Sequence, residues 1–174
     1  PALGTNWRLA VRSWWSKEPL LHGRGNLVER NDIHNVMETL GDGNAVYISG
    51  TGGGNQVREN YIHDCSGRYM NAVIRNDDDQ HGSTFEGNLI ARSGGWGEAF
   101  INKGSNHMRH NVVADLRGNE SQRGYVVLNT SAQFGSTLER NVFFSSRKGQ
   151  ALLSEESSNA RNKTGSLLSQ FRAA

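Results

Sequence analysis

The feature that most constrains this chain is a short motif that recurs along most of its 174 residues. In each copy an apolar residue precedes two mostly polar residues, an asparagine, and an apolar pair or near pair. The clear copies are LVERNDI, QVRENYI, TFEGNLI, HMRHNVV and TLERNVF, with Asn31, Asn60, Asn88, Asn111 and Asn141, and a degraded sixth copy, NARNKTG, carries Asn162. A motif that recurs in this way indicates a chain built from stacked structural repeats.

Each copy is followed by a second short apolar stretch, which a glycine-containing bend introduces. These stretches are AVYI, AVIR, AFIN, YVVL and ALLS. Strands this short cannot bury a face alone, whereas identical strands stacked coil over coil can do so. We therefore expect at least two short strands in each repeat and about five coils.

The recurring asparagine favours a parallel coil over the other folds that short strands allow. Helical bundles fit poorly because the apolar runs are short and glycines interrupt them. An antiparallel sandwich also has short strands with turn signals, but it gives no reason for an asparagine at the same phase of every repeat. In a parallel β-helix, an asparagine in the left-handed conformation at a bend can hydrogen-bond the asparagines above and below it. The sequence therefore predicts an all-β solenoid with an asparagine ladder.

Length and composition limit the remaining alternatives. We expect one β-helix domain over residues 1–174, with repeats roughly at 25–165, either complete or as a fragment of a longer solenoid, and its protein partner is either the rest of a longer chain or a second copy in a homo-oligomer. The final segment SLLSQFRAA is interpreted as a small carboxyl-terminal cap. The formal charge is +2 without a basic run, so no nucleic-acid partner is expected. No apolar run approaches the length of a membrane span.

Two phrases, GNAVYISGTGGGNQVRENYIHD and NAVIRNDDDQHGSTFEGNLIARSG, resemble the repeating unit of the right-handed parallel β-helix enzymes that act on polysaccharides. That unit is a strand, an Asp-Asp pair, a turn, and an asparagine followed by two apolar residues. The resemblance implies a right-handed coil, a polysaccharide partner, and a secreted, periplasmic or cell-surface location. It implies cleavage less specifically, because tailspikes, adhesins and other surface proteins share this coil.

Alternation within the second strands predicts which side chains point outwards. We place Ala72, Ile74, Ala99 and Ile101 inside the coil, and Val73, Arg75, Phe100 and Asn102 outside it. Arg75 and Asn102 are then neighbours on stacked strands, with Lys103 directly after them. The same phase puts Tyr47 in the core.

Three consecutive aspartates, Asp77, Asp78 and Asp79, raise the main question about function. Their segment, DDDQHG, lies in a repeat about four residues longer than the next, and we expect it to project beside the outer face. The segment is either a solvated turn, a calcium site built from all three carboxylates, or a catalytic centre. In a catalytic centre, crowding raises the pKa of one carboxylate and leaves another ionised.

A glycoside hydrolase is the first hypothesis, because the wider resemblance is to hydrolases of this fold. Hydrolysis needs two carboxylates that face the scissile bond, and Asp77 or Asp78 supplies one. The positions that correspond to the second carboxylate hold Asn102 and Lys103, neither of which is acidic. The nearest acid in that coil, Glu98, is expected at the other end of the strand.

A polysaccharide lyase is the second hypothesis, and a non-catalytic glycan-binding or structural coil is the third. The resemblance implies that a lyase would use a Lys or Arg base beside aspartate-bound calcium. The predicted catalytic residues are Asp77, Asp78, Lys103, Arg75 and His81, and the predicted substrate-binding residues are Asn102, Asn71, Glu98 and Trp96. Trp14 and Trp15 lie off the repeat and are interpreted as an incomplete coil or a packing contact. His34 and His63 share one phase of the repeat, which indicates structural roles.

Overall fold

The computed structural model describes residues 14–65, 67, 69–117, 124–129, 135–146, 150–155 and 172–173. A four-residue helix, α1 (Trp14–Lys17), and a 3-10 turn (Glu18–Leu20) precede the repeats. The other regular elements of the described residues are strands of two to four residues. None of the described helices is long and apolar enough to cross a membrane.

The strands form three parallel sheets that the chain visits in turn. The strands are β1 (Leu27–Glu29), β2 (Asp32–His34), β3 (Val46–Ser49), β4 (Gln56–Arg58), β5 (Tyr61–His63), β6 (Ile74–Asp77), β7 (Thr84–Glu86), β8 (Leu89–Ala91), β9 (Phe100–Asn102), β10 (His107–Arg109), β11 (Val112–Ala114), β12 (Val126–Leu128), β13 (Thr137–Glu139), β14 (Val142–Phe144), β15 (Leu153–Glu155) and β16 (Arg172–Ala173). Sheet A has the order β1-β4-β7-β10-β13-β16, sheet B β2-β5-β8-β11-β14, and sheet C β3-β6-β9-β12-β15. Each strand thus pairs with the strand three places along the chain, which confirms the predicted parallel β-helix.

The asparagine motif spans two strands, because a bend divides it between sheets A and B. The residue before each ladder asparagine has a positive φ, for example 54° at Arg30 and 64° at Gly87. The prediction that the asparagine itself takes the left-handed conformation is therefore wrong. The preceding residue turns the chain, and the asparagine side chain is left free to point along the stack.

The asparagine ladder itself is confirmed by its hydrogen bonds. The backbone N–H and the Nδ2 of Asn60 both donate to Oδ1 of Asn88, at 3.1 and 2.9 Å, and Nδ2 also donates to the carbonyl of Val28 at 3.0 Å. The same arrangement joins Asn31, Asn60, Asn88, Asn111 and Asn141 in one column. Because a buried amide without partners costs about 1–3 kcal/mol, this column stabilises the coil at every bend.

The sixth copy of the motif, with Asn162, lies outside the described residues. The described continuation of sheet A is β16, in which Arg172 pairs with Thr137 and Ala173 with Leu138. Of the segment predicted to be a cap, these two residues are the described part, and they extend the sheet.

The register of sheet C differs by one residue from the predicted alignment. Ile74 pairs with Phe100, and Arg75 pairs with Ile101 instead of Asn102. A one-residue slip exchanges the two faces of a strand, so several predicted orientations are wrong. Val73, Phe100 and Asn102 are inside the coil and not outside, whereas Ala72 and Ile101 form a separate cluster with Val127. The large Phe100 ring decides the register because it packs in the core, 6.1 Å from the ring of Phe85.

The core is a continuous apolar column along the coil axis. It contains Val57, Phe85 and Met108 from sheet A, Ile62, Ile90 and Val113 from sheet B, and Ile74, Phe100 and Val126 from sheet C. Burying each of these large side chains stabilises the fold by about 1.5–3 kcal/mol. The column leaves the outer faces of the three sheets free to carry polar groups.

Candidate functional site

Asp77 ends β6 on the outer face of sheet C, and four donors converge on its carboxylate. The Lys103 ammonium and the backbone N–H of Asp78 donate to Oδ1, the latter at 2.8 Å. The Tyr47 hydroxyl and the Arg75 guanidinium donate to Oδ2, at 2.6 and 2.8 Å. Asp77 is only 6% exposed. Each of its oxygens therefore has one cationic partner and one neutral donor.

Three successive coils bring these groups together through the parallel register. Tyr47 of β3 pairs with Arg75 of β6, and Ser49 pairs with Asp77. Extending the pairing of Arg75 with Ile101 by two residues puts Lys103 beside Asp77. The register that removes Asn102 from the outer face is thus the one that delivers Lys103 to the aspartate.

The partners of Asp77 hold its carboxyl group in the ionised form. Burial by itself raises the pKa of Asp77, but the hydrogen bonds from Lys103, Tyr47 and the Asp78 amide, with the charge of Arg75, outweigh it. The pKa of Asp77 falls to about 2. Burial, followed by the hydrogen bond to Asp77, raises the pKa of Tyr47 to about 12. At neutral pH the site therefore presents a carboxylate beside a protonated phenol.

Arg75 links the site to a second, exposed carboxylate. Its Nη1 lies 3.6 Å from Oδ1 of Asp42, and its guanidinium carbon lies 5.6 Å from the centre of the Tyr47 ring. Nε and Nη1 of Arg75 are buried and have no hydrogen-bond partner among the described residues. Tyr69, which is exposed, lies against Gly41 next to Asp42. The face therefore combines carboxylates, a guanidinium and two phenol rings.

The three consecutive aspartates turn towards different partners. Asp78 accepts a hydrogen bond from the Ser49 hydroxyl at 2.7 Å. Asp79 accepts one from the backbone N–H of Trp14 at 3.2 Å. The described residues contain no group of three or more His, Cys, Asp or Glu side chains placed to hold a metal ion. The geometry therefore gives no support to the predicted calcium site of Asp77, Asp78 and Asp79.

His81, predicted to be catalytic, has both ring nitrogens occupied. Its Nδ1 accepts a hydrogen bond from the backbone N–H of Ser105 at 2.9 Å, and its Nε2 lies 3.0 Å from Oδ1 of Asp79. Because Nδ1 accepts, the proton is on Nε2, which donates to Asp79. The ring is buried and fixes the aspartate loop, with no ring nitrogen left for a substrate.

The aspartate loop packs down on the coil, contrary to the expectation that it projects. The Gln80 side chain is fully buried, and its Oε1 accepts the backbone N–H of Thr51 at 2.8 Å. A Cβ at Gly104 would lie 2.3 Å from the carbonyl oxygen of Gln80, so this close approach needs a glycine. Asp78 is left as the exposed carboxylate of the loop.

Asn102, predicted to bind substrate on the outer face, belongs to the interior instead. Its Oδ1 accepts hydrogen bonds from Nδ2 of Asn106 at 2.9 Å and from Nδ2 of Asn76 at 3.3 Å. The residue is buried, so it has no surface to offer a glycan. With Asn76 and Asn106 it forms a second column of hydrogen-bonded amides, on the inner face of sheet C.

The other predicted substrate-binding residues, Asn71, Trp96 and Glu98, precede the strands of sheet C, whereas Asp77 ends one. The Glu98 carbonyl accepts the backbone N–H of Val73, and its side chain is fully buried. The expectation that Glu98 lies at the far end of the strand from Asp77 is therefore confirmed. Asn71 and Trp96 are partly buried.

Tyr47 is the site residue that the sequence interpretation missed. Contrary to the predicted core position, Tyr47 is 48% exposed and contacts Asp77. Val46 and Ile48 alternate with Tyr47 and Ser49, and this alternation correctly indicates that Tyr47 points outwards. Aligning the apolar stretches by their first alanine hides it.

Comparison with known proteins agrees with the geometry of the coil. The sequence model of a family described as "Right handed beta helix region" matches residues 19–164. Comparisons with curated proteins and with solved structures found no match. The matched range includes all strands from β1 to β15.

Proposed function

Because the chain belongs to the right-handed β-helix family, which includes both polysaccharide-acting enzymes and non-enzymatic proteins, we propose that it binds an extended polysaccharide and hydrolyses it at Asp77. The observation that carries this proposal is the carboxylate held ionised on the outer face of sheet C, with a pKa of about 2. A secreted, periplasmic or cell-surface location stays a prediction.

The charges around Asp77 favour a neutral glycan. Asp42 and Asp77 contact the two cations, Arg75 and Lys103, and the next two residues after Asp77 add two further carboxylates, those of Asp78 and Asp79. The excess of negative charge repels uronic acids, whereas the hydroxyl groups of neutral sugars donate hydrogen bonds to carboxylates. The exposed Tyr47 and Tyr69 rings add apolar surface for the C–H faces of sugar rings.

Asp77 fits one of the two carboxylate roles in glycoside hydrolysis. An ionised carboxylate acts as the nucleophile or as the base that activates water, while a second, protonated carboxyl group donates to the leaving oxygen. Asp42, linked through Arg75, and the adjacent Asp78 are the nearby candidates for the second role. Glu98 aligns five residues before Lys103, which at 3.3 Å per residue is about 16 Å from the Asp77 level.

The substrate must displace one donor before Asp77 reacts, because both of its oxygens already accept two hydrogen bonds. Lys103 is the donor best able to move, since its ammonium is carried on a flexible four-carbon stem.

Because both Asp77 oxygens already have their hydrogen-bond donors, the structure also favours a second candidate function, in which the face binds a polysaccharide without cleaving it. In a lyase, Lys103 or Arg75 would have to act as the base, but here both are cationic partners of Asp77.

The test is an activity assay on the whole chain with neutral and uronic-acid polysaccharides, recording reducing ends and ultraviolet absorbance together. We expect reducing ends without absorbance, released from neutral polymers by the wild type and not by Asp77→Asn. Asp42→Asn and Asp78→Asn identify which second carboxylate supplies the proton. An unsaturated, absorbing product would contradict hydrolysis and establish elimination. Binding without any product would establish the non-catalytic function.

A further inference from the structure

An exposed tryptophan, Trp15, lies at the other end of the aspartate loop from Tyr47. Its side chain is 66% exposed, although Trp is a residue that folding normally buries. It belongs to α1, outside the repeats, and its ring centre lies 5.1 Å from that of His81. The coil fold itself does not require an aromatic residue at this position.

The support beneath Trp15 is rigid. The buried Trp14 ring meets it edge to face, with ring centres 4.9 Å apart and planes at 87°. Trp14 is itself fixed, because its indole N–H donates to the carbonyl of Thr51 at 2.9 Å and its backbone N–H donates to Asp79. His81, the other support, has both ring nitrogens bonded. The indole of Trp15 is thus supported by two fixed rings, those of Trp14 and His81.

Two glycines of the coil lie next to the Trp14 ring of this helix. A Cβ at Gly53 would lie 3.4 Å from the Trp14 ring, and one at Gly82 would lie 3.9 Å from it and 3.3 Å from Cα of Gly53. Gly82 also has a φ of 69°, which a residue with a side chain rarely adopts. The docking of α1 against the aspartate loop is fixed by the hydrogen bonds of Trp14 to Thr51 and Asp79.

We propose that Trp15 is a sugar-binding platform that extends the site at Asp77 by one or more sugar units. A pyranose ring would stack its C–H face on the exposed indole face, which carries partial negative charge. Because the indole is already immobilised, stacking requires little further loss of side-chain entropy. The ligand class is a neutral chain of several sugars, long enough to reach from Tyr47 past Asp78 to Trp15. This inference rests on the proposed function.

The experiment compares Trp15→Ala with the wild type and with Leu20→Ala, by calorimetry on a long neutral polysaccharide and on its disaccharide. Leu20 is a matched control, because it is 75% exposed in the adjacent 3-10 turn. We expect Trp15→Ala to weaken binding of the long polymer roughly three- to tenfold, with Trp15→Phe in between and Leu20→Ala unchanged. Disaccharide binding at Asp77 should change less than binding of the polymer.

Equal polymer affinity of Trp15→Ala and the wild type would overturn the inference. So would an equal loss for the polymer and the disaccharide, or a loss that disappears once the folded fraction, measured by thermal melting, is taken into account.

The variant Asp77→Asn separates this inference from the proposed hydrolysis. If the wild type releases no reducing ends but Trp15→Ala still weakens polymer binding, both alone and in the Asp77→Asn background, the platform stands and the hydrolase fails. If the folded wild type binds no polysaccharide tested, both proposals fail.

Discussion

Sheets B and C carry similar clusters of charged side chains on their outer faces, but the central aspartate is much more deeply buried on sheet C than on sheet B. On sheet B, Asp64 accepts hydrogen bonds from Arg92 at 2.7 Å and Arg117 at 3.0 Å, and it pairs with His63 at 2.8 Å. The Asp64 side chain is 29% exposed, whereas that of Asp77 on sheet C is 8% exposed. Exposed ion pairs contribute little, whereas breaking a buried one leaves charge without compensation. Stacked coils produce both arrangements, and burial decides which one affects stability and chemistry.

The largest expected difference between the two clusters is the effect of neutralising the central aspartate. Asp77→Asn removes the carboxylate that contacts the partly buried Lys103 and leaves Arg75 with the exposed Asp42, 3.6 Å away, so we expect the free energy of unfolding to fall by about 3 kcal/mol. Urea unfolding at neutral pH measures this loss. A loss below about 1 kcal/mol would contradict the conclusion that the charged groups around Asp77 are buried.

Acid titration isolates the contribution of Asp77. Its pKa in the fold, about 2, is below the ordinary value of 3.8, so its ionised form stabilises the fold above pH 3.8. This contribution is lost as the pH falls from about 4 to 2 and amounts to about 2 kcal/mol. In Asp77→Asn, the decline in stability over this range should be correspondingly shallower. Parallel stability curves for the variant and the wild type would contradict the assignment.

The matching substitution on sheet B should have a small effect. Asp64→Asn removes the partner of Arg92 and Arg117, but both guanidinium groups are about half exposed and stay solvated. We expect a much smaller loss than for Asp77→Asn in the same urea experiment, decreasing further at high salt. A loss as large as that of Asp77→Asn would show that burial does not distinguish the clusters.

The smallest expected effect is a pH dependence at His63. Its ring nitrogens face Asp64 and Asp32, each at 2.8 Å, and its ring stacks with those of Tyr61 and His34. The hydrogen bond to Asp64, with that to Asp32, raises the pKa of His63 above 6.5, although burial opposes the shift.

The charged His63 therefore stabilises the fold fully below pH 6.5, and this contribution is lost as the pH rises through the raised pKa. We expect His63→Asn to lower the melting temperature more at pH 6 than at pH 9. The variant Asp115→Asn, in the same sheet edge but without contact to His63, serves as the control. A melting-temperature difference that does not change with pH would contradict a charged His63.

The repeated asparagine made the coil predictable because its role is local and repeats at every bend. Each ladder amide contacts the asparagine one coil away, so the pattern of Asn60, Asn88 and Asn111 records the stacking directly. The clustering of groups around Asp77 was predicted in part, since Arg75 and Lys103 were both named and both contact it.

Aligning the second apolar stretches by their first alanine does not predict which side chains of sheet C point inwards and which point outwards. Ile74 pairs with Phe100, so Val73 and not Ala72 is level with Ala99. The volume of Phe100 in the core fixes this register, and only packing against Ile74 and Val126 shows it. Tyr47 was misplaced for the same reason.

The sequence by itself determined that this chain forms stacked parallel coils, because the asparagine repeat and the short strands have no other way to satisfy their amides and bury an apolar face. The tertiary structure decided what surrounds Asp77 and how Trp15 is presented. The contact between Trp14 and Asp79 joins residues 65 positions apart and follows no repeat. Such contacts depend on the shapes of surfaces that exist only after the coil has formed, so no local pattern in the sequence records them.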